Sequence, residues 1–183
     1  VERFDDNTVM RQKDPGRGEW VSHDWRDLHK MVRETAAKLV DDGVQHGDRV
    51  AILSNSRLEW AVADLATLLI GAVTVPIYQS NLPDEVHYIL EHSGAKVVFV
   101  EDGEQLSKVL QIREQLETVD RVVQFSGKVR SDDELVFALN RYQDAGREVL
   151  EADPARLEPR IDAVTREDVA TIVYTSGTTG RPK

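Results

Sequence analysis

The sequence predicts an α/β fold, a mostly parallel layered sheet with helices on both faces. Short apolar runs alternate with helical patterns, and the connections between them are brief. That rhythm argues for βαβ units joined in one sheet. The strand runs also show little period-two alternation, as expected of strands covered on both sides. The layout divides into an irregular lead over 1–21, an α/β subdomain over 22–126, a charged excursion over 127–166, and a strand running into a loop over 167–183.

Each element has its own signal. Residues 1–20 are polar, with Pro15, Gly16 and Gly18 as breakers. Trp25, Leu28, Val32, Ala36 and Leu39 then recur at three- and four-residue steps, predicting an amphipathic helix that ends near Gly43. Gly47-Asp48 reads as a turn before a strand over 49–53. Ser56 stands three residues before Glu59, a capping-box spacing that opens a helix over 57–70. That helix is apolar nearly all round, which predicts a position between layers.

Residues 72–75 read as the next strand. Pro83 opens a helix with Asp84 and Glu85 in its first turn, where carboxylates suit the positive end of the dipole. His92 and Gly94 close it. A strand over 96–100, a helix over 104–117 and a strand over 121–125 follow. A helix over 132–144 and a charged stretch with Pro154 and Pro159 read as a solvated excursion joining two subdomains.

Composition limits what the chain can do. Its 183 residues are enough to bury a sizeable core. The 33 acidic and 23 basic residues give a net charge of −10, which argues against a phosphate-backbone binder or an anchor to anionic lipid. The acidic excess reads as a solvated surface. Cysteine is absent, so disulfides, thiolate metal sites and cysteine nucleophiles are excluded. The uncharged stretch 65–78 is shorter than the roughly 20 residues of a membrane span and is broken by Gly71 and Pro76. Val1 follows no signal pattern and Lys183 ends the chain inside a motif, so the sequence reads as an internal piece of a longer protein.

The chemistry lies at the end. An apolar strand over 169–174 runs into Thr175, Ser176, Gly177, Thr178, Thr179, Gly180 and, three residues later, Lys183. Gly177 and Gly180 permit positive φ and close backbone approach, so successive N–H groups can converge on an anion. The hydroxyls add donors and Lys183 adds a point charge. Composition alone fits two readings, a phosphate-gripping loop and a hydroxyl-rich turn with no ligand. The spacing differs from the common G-x-x-x-x-G-K-[ST] nucleotide loop. Histidines 23, 29, 46, 87 and 92 suggest no metal site, and Trp25 and Trp60 sit at helical core spacing.

The run from Tyr174 to Lys183, Tyr-Thr-Ser-Gly-Thr-Thr-Gly-Arg-Pro-Lys, resembles the phosphate-loop signature of the adenylate-forming superfamily. That superfamily includes acyl-CoA synthetases, nonribosomal-peptide adenylation domains and luciferases. Upstream, Gly47-Asp48-Arg49-Val50-Ala51-Ile52, Arg57-Leu58-Glu59-Trp60 and Gly71-Ala72-Val73-Thr74-Val75-Pro76-Ile77-Tyr78 resemble the amino-terminal part of AMP-forming long-chain fatty acid–CoA ligases.

The resemblance implies activation of a fatty carboxylate by ATP and transfer to coenzyme A, with magnesium as cofactor. It implies that Thr175, Ser176, Gly177, Thr178, Thr179, Gly180 and Lys183 cradle the β- and γ-phosphates, with Thr175 also touching the metal. The catalytic residues and the carboxyl-terminal domain would lie beyond residue 183, leaving this piece inactive alone. A fatty acyl-AMP ligase and a non-catalytic nucleotide- or partner-binding module are the alternatives. A cytoplasmic enzyme without nucleic-acid partners is implied, compatible with a homodimer and with peripheral contact at the cytoplasmic membrane face.

Overall fold

The computed structural model describes residues 7–13, 18–129 and 133–175. Its centre is a five-stranded parallel sheet of β3 (Arg49–Leu53), β4 (Val73–Ile77), β5 (Ala95–Val100), β6 (Arg121–Gln124) and β7 (Val136–Ala138). The strands lie in the order β4-β3-β5-β6-β7. One face carries α1 (Trp25–Asp41), α2 (Leu58–Leu69) and α5 (Leu139–Ala152), and the other carries α3 (Pro83–Ser93) and α4 (Gly103–Gln111). The α/β class and the covered parallel sheet are therefore as the sequence predicts.

The strand composition follows from this layering. Successive strand residues point to opposite faces. Val50, Ile52, Val97 and Phe99 enter the core beneath α1 and α2, while Ala51, Leu53, Val98 and Val100 enter the core beneath α3 and α4. Both alternating sets must be apolar, so the runs lack a polar face.

Within the amino-terminal lead, read from sequence as irregular, the described residues form two strands. β1 (Thr8–Lys13) and β2 (Trp20–Asp24) pair antiparallel. This hairpin also starts α2, whose N-cap is Arg57 in extended conformation rather than Ser56. The Leu58 amide donates to Gln12 Oε1 at 2.8 Å, so a hairpin side chain supplies the capping acceptor. Only one side of α2 is fully covered: Val62, Ala63 and Ala66 are buried, whereas Leu65 is exposed. Trp25, expected in the core, is also exposed.

The stretch expected to be a solvated excursion contributes to the fold. In place of a helix over 132–144, β7 pairs with β6 and α5 follows. Tyr142 and Leu157 are fully buried, and a short helix α6 (Glu158–Asp162) comes next. α5 lies so close to α1 that a Cβ on Gly146 would sit 1.8 Å from the Glu34 carbonyl oxygen. The expected helix over 104–117 ends earlier, α4 giving way to a 3-10 turn at Arg113–Gln115.

Asp42, just beyond α1, ties this layer to the amino ends of the strands. It accepts from Lys38 Nζ at 2.6 Å, Arg121 Nη2 at 3.2 Å and the Tyr142 hydroxyl at 2.8 Å. Burial, then the Asp42 charge beside it, holds the Tyr142 phenol well above its ordinary pKa.

Candidate functional site

Ligands of doubly wound sheets bind outside the carboxyl ends of the strands, where neighbouring connections diverge. Here β3 leads through α2 to β4 on one side, and β5 leads through α4 to β6 on the other. The crevice between β3 and β5 is occupied by Glu101. Its Oε2 accepts from the Asn55 amide at 2.7 Å and from Asn55 Nδ2 at 3.0 Å.

Arg57 completes that cluster. It forks onto Glu59 through Nε at 2.7 Å and Nη2 at 2.9 Å, while Nη1 donates to Ser126 Oγ at 3.2 Å. Burial pushes the Glu59 carboxyl up, but the Arg57 hydrogen bond and charge outweigh it and hold its pKa below the usual value. The same hydrogen bond raises the Arg57 guanidinium.

Beside this closed crevice an open one remains between the ends of β3 and β4. It is a cleft of about 300 Å³ whose walls include Ser54, Asn55, Trp60, Tyr78, Ser80 and Val173. Hydroxyls, an amide and two aromatic rings give it both polar and apolar surface. Trp60 thus does more than fill the core: it packs partly against it and also walls the cleft.

Val173 belongs to the segment approaching the loop. The continuous strand expected over 169–174 is reduced to one parallel bridge, Thr171 with Thr74. The Thr74 amide donates to Ala170 O at 3.0 Å and the Ile172 amide to Thr74 O at 3.0 Å. Before the bridge, His46 Nε2 lies 3.1 Å from Asp168 Oδ1. The hydrogen bond from the Thr165 amide, and then His46, hold the Asp168 carboxyl below its ordinary range.

After the bridge, Tyr174 turns inward. Its ring is buried between exposed Val173 and exposed Thr175. The hydroxyl lies 2.8 Å from His92 Nδ1, and the ring stands edge-on to His92 and Tyr88 with centroids 5.7 and 6.4 Å away. Burial, then neighbouring Tyr88, raises its pKa.

Of the residues expected to grip phosphate, Thr175 is placed directly after this plug. Ser176, Gly177, Thr178, Thr179, Gly180 and Lys183 lie outside the described residues. The cleft and the Tyr174–His92 pair escaped sequence reasoning. Tyr174 stood inside the motif, but nothing local signalled that its partner lay on α3.

The family model described as "AMP-binding enzyme" matches residues 1–183. The long-chain-fatty-acid–CoA ligase FadD15 of Mycobacterium tuberculosis is 39% identical over 166 residues, covering 91% of this chain and 26% of that protein. The mouse long-chain-fatty-acid–CoA ligase ACSBG2 is 29% identical over 184 residues, covering 100% of this chain and 27% of that protein. The chain thus spans about a quarter of the length of these relatives.

Two solved structures share the fold. The anthranilate CoA ligase AuaEII, in complex with anthranoyl-AMP, superposes over 100% of this chain and 32% of its own, with a TM-score of 0.77 and 23% identity. A Mycobacterium tuberculosis fatty acyl CoA synthetase covers 88% of this chain and 28% of its own, with a TM-score of 0.65 and 27% identity. Among the described residues no helix is long and apolar enough to cross a membrane. The chain belongs to the AMP-binding, adenylate-forming enzymes, and its curated relatives are long-chain fatty acid–CoA ligases.

Proposed function

We propose that this chain forms the nucleotide-gripping front of an AMP-forming long-chain fatty acid–CoA ligase. A fatty carboxylate oxygen attacks the α-phosphorus of ATP, the bond to the β-phosphate oxygen breaks, and pyrophosphate leaves with the electron pair. The thiol sulfur of coenzyme A then attacks the acyl carbon, loses its proton, and displaces AMP to give the thioester.

The observation carrying this reading is the buried Tyr174, which leads from the sheet's carboxyl end into Thr175 and the hydroxyl- and glycine-rich run ending at Lys183. Backbone amides and hydroxyls of residues 175–180 and the Lys183 ammonium would hold the β- and γ-phosphates. Their task is to stabilise developing charge and fix geometry, not to move a proton. Thr175 offers a hard oxygen suited to magnesium, which is commonly held by few protein ligands together with substrate phosphates. Magnesium, when bound, supplies charge neutralisation on the phosphates.

The test uses the longest protein that carries this sequence, with palmitate, ATP and coenzyme A. Palmitoyl thioester, AMP and pyrophosphate are expected. Pyrophosphate without thioester would make it a fatty acyl-AMP ligase; no pyrophosphate with any acid would leave a binding module. Lys183→Ala should raise KM for ATP by about tenfold or more, the worth of one charge-assisted contact. Residues 1–183 alone should not turn over.

A further inference from the structure

We propose that His92 is a positioning residue for the nucleotide loop, acting through the Tyr174 hydroxyl; this rests on the phosphate-loop reading of residues 175–183. Over 169–175 the chain is held to the sheet at two places. One is the backbone pairing of 170–172 with Thr74, and the other is Tyr174. The residues between and around them are exposed: Val169 by 59% and Val173 by 53%.

Apolar packing accounts for the burial of the Tyr174 ring but not for its depth or rotation. The hydroxyl bond to His92 Nδ1 at 2.8 Å sets those. His92 is itself preset. It occupies the last turn of α3, which Gly94 ends in a left-handed conformation at φ +64°. Its ring stacks on Tyr88, one turn earlier, at 5.3 Å and 25°. The receptor for the hydroxyl is therefore built by α3, independently of the loop.

Thr175, the first loop residue, is one peptide from Tyr174, about 3.8 Å between Cα atoms. A displacement of the ring passes directly into Thr175, and misplacement by about 1 Å is enough to weaken the hold on ATP. His92 touches Tyr174 through Nδ1, so its effect on the loop runs through Tyr174.

The experiment measures ATP–pyrophosphate exchange by the full-length protein with palmitate. His92→Ala and Tyr174→Phe should each raise KM for ATP about three- to tenfold, the scale of one neutral hydrogen bond. KM for palmitate should not move. His92→Asn, which keeps a polar atom near the Nδ1 position, should recover most of the loss. The double variant His92→Ala/Tyr174→Phe should be no worse than either single change, because both remove one interaction.

A merely structural role would lower kcat and the urea midpoint with KM for ATP unchanged, and that result overturns the proposal. So do additive losses in the double variant. If His92→Ala does not fold, Tyr174→Phe and His92→Asn carry the same comparison. An unaltered protein without exchange for any acid would refute the phosphate-loop reading, and this proposal with it.

Discussion

Two acidic side chains organise opposite ends of the sheet in different ways. Asp42, at the amino ends of the strands, is 4% exposed and gathers side chains from three elements: Lys38 of α1, Arg121 of β6 and Tyr142 of α5. Glu101, at the carboxyl ends, is 19% exposed and collects two consecutive loop residues, the backbone and side chain of Asn55 and the Ser54 hydroxyl at 3.4 Å, with Arg57 at 3.7 Å. The first joins helices to the sheet. The second shapes the loop that walls the cleft. The acidic excess read from composition as solvated surface therefore includes two carboxylates with defined structural tasks.

The largest effect should come from the more enclosed end. Asp42→Ala leaves Lys38 and Arg121 without their shared anion and the buried Tyr142 hydroxyl without an acceptor. Removing one partner of a buried pair costs about 3–5 kcal/mol. Urea unfolding should show that loss, and a loss under 1 kcal/mol would mean that water replaces the carboxylate. Gly146→Ala comes next. Its Cβ would sit 1.8 Å from Glu34 O and force α5 away from α1, at about 1–3 kcal/mol by the same measurement. An unchanged midpoint would show that the helices slide apart freely.

These two sites also show how much the sequence disclosed. The strand runs 49–53 and 96–100 were legible because burial on both faces demands apolar residues throughout. α1 was legible from its period. β7 was not: it has three half-buried residues, and its identity as a strand comes from β6 alongside. The hairpin β1–β2 was hidden by its polar composition and by the breakers at Pro15 and Gly16. For 169–174 the error ran the other way. Its apolar residues suggested a strand, yet with one neighbour it makes a single bridge and leaves Val169 and Val173 exposed. The hydroxyl- and glycine-rich run proposed to hold phosphate stood out locally, as consecutive residues. The cleft did not, because its walls come from loops after β3 and β4 and from Val173, brought together by the fold.

At the carboxyl end smaller effects are expected, and they should be local. Glu101→Ala removes the acceptor for two Asn55 donors in a partly exposed place, at about 1 kcal/mol. Hydrogen exchange at the Asn55 amide should accelerate while amides of the buried part of α1 keep their protection. Equal acceleration at both would show that the two ends are not energetically separate.

The smallest effect is the response to acid, and it compares the two ends through a carboxylate at each. Asp48, at the amino end, is pushed up by burial, but its hydrogen bonds from Lys96 Nζ at 2.7 Å and from the Gln45 amide outweigh this and hold its pKa low. Glu59, at the carboxyl end, is held low by Arg57 in the same manner. A carboxyl lowered on folding gives stability that is present above its unfolded pKa. In the interval between the two pKa values the unfolded chain binds more protons, so stability falls as pH falls. The loss should therefore begin near pH 4, about the unfolded value of a carboxyl, and continue below it. Glu59→Gln and Asp48→Asn should each be less stable than the parent at neutral pH, with the gap narrowing toward acid. Urea midpoints measured between about pH 7 and pH 3 test this. Curves parallel to the parent would mean that neither partner holds its carboxylate in the folded state. Narrowing for Asp48→Asn alone would place the acid-sensitive ion pairing at the amino end and leave the Arg57–Glu59 fork to geometry.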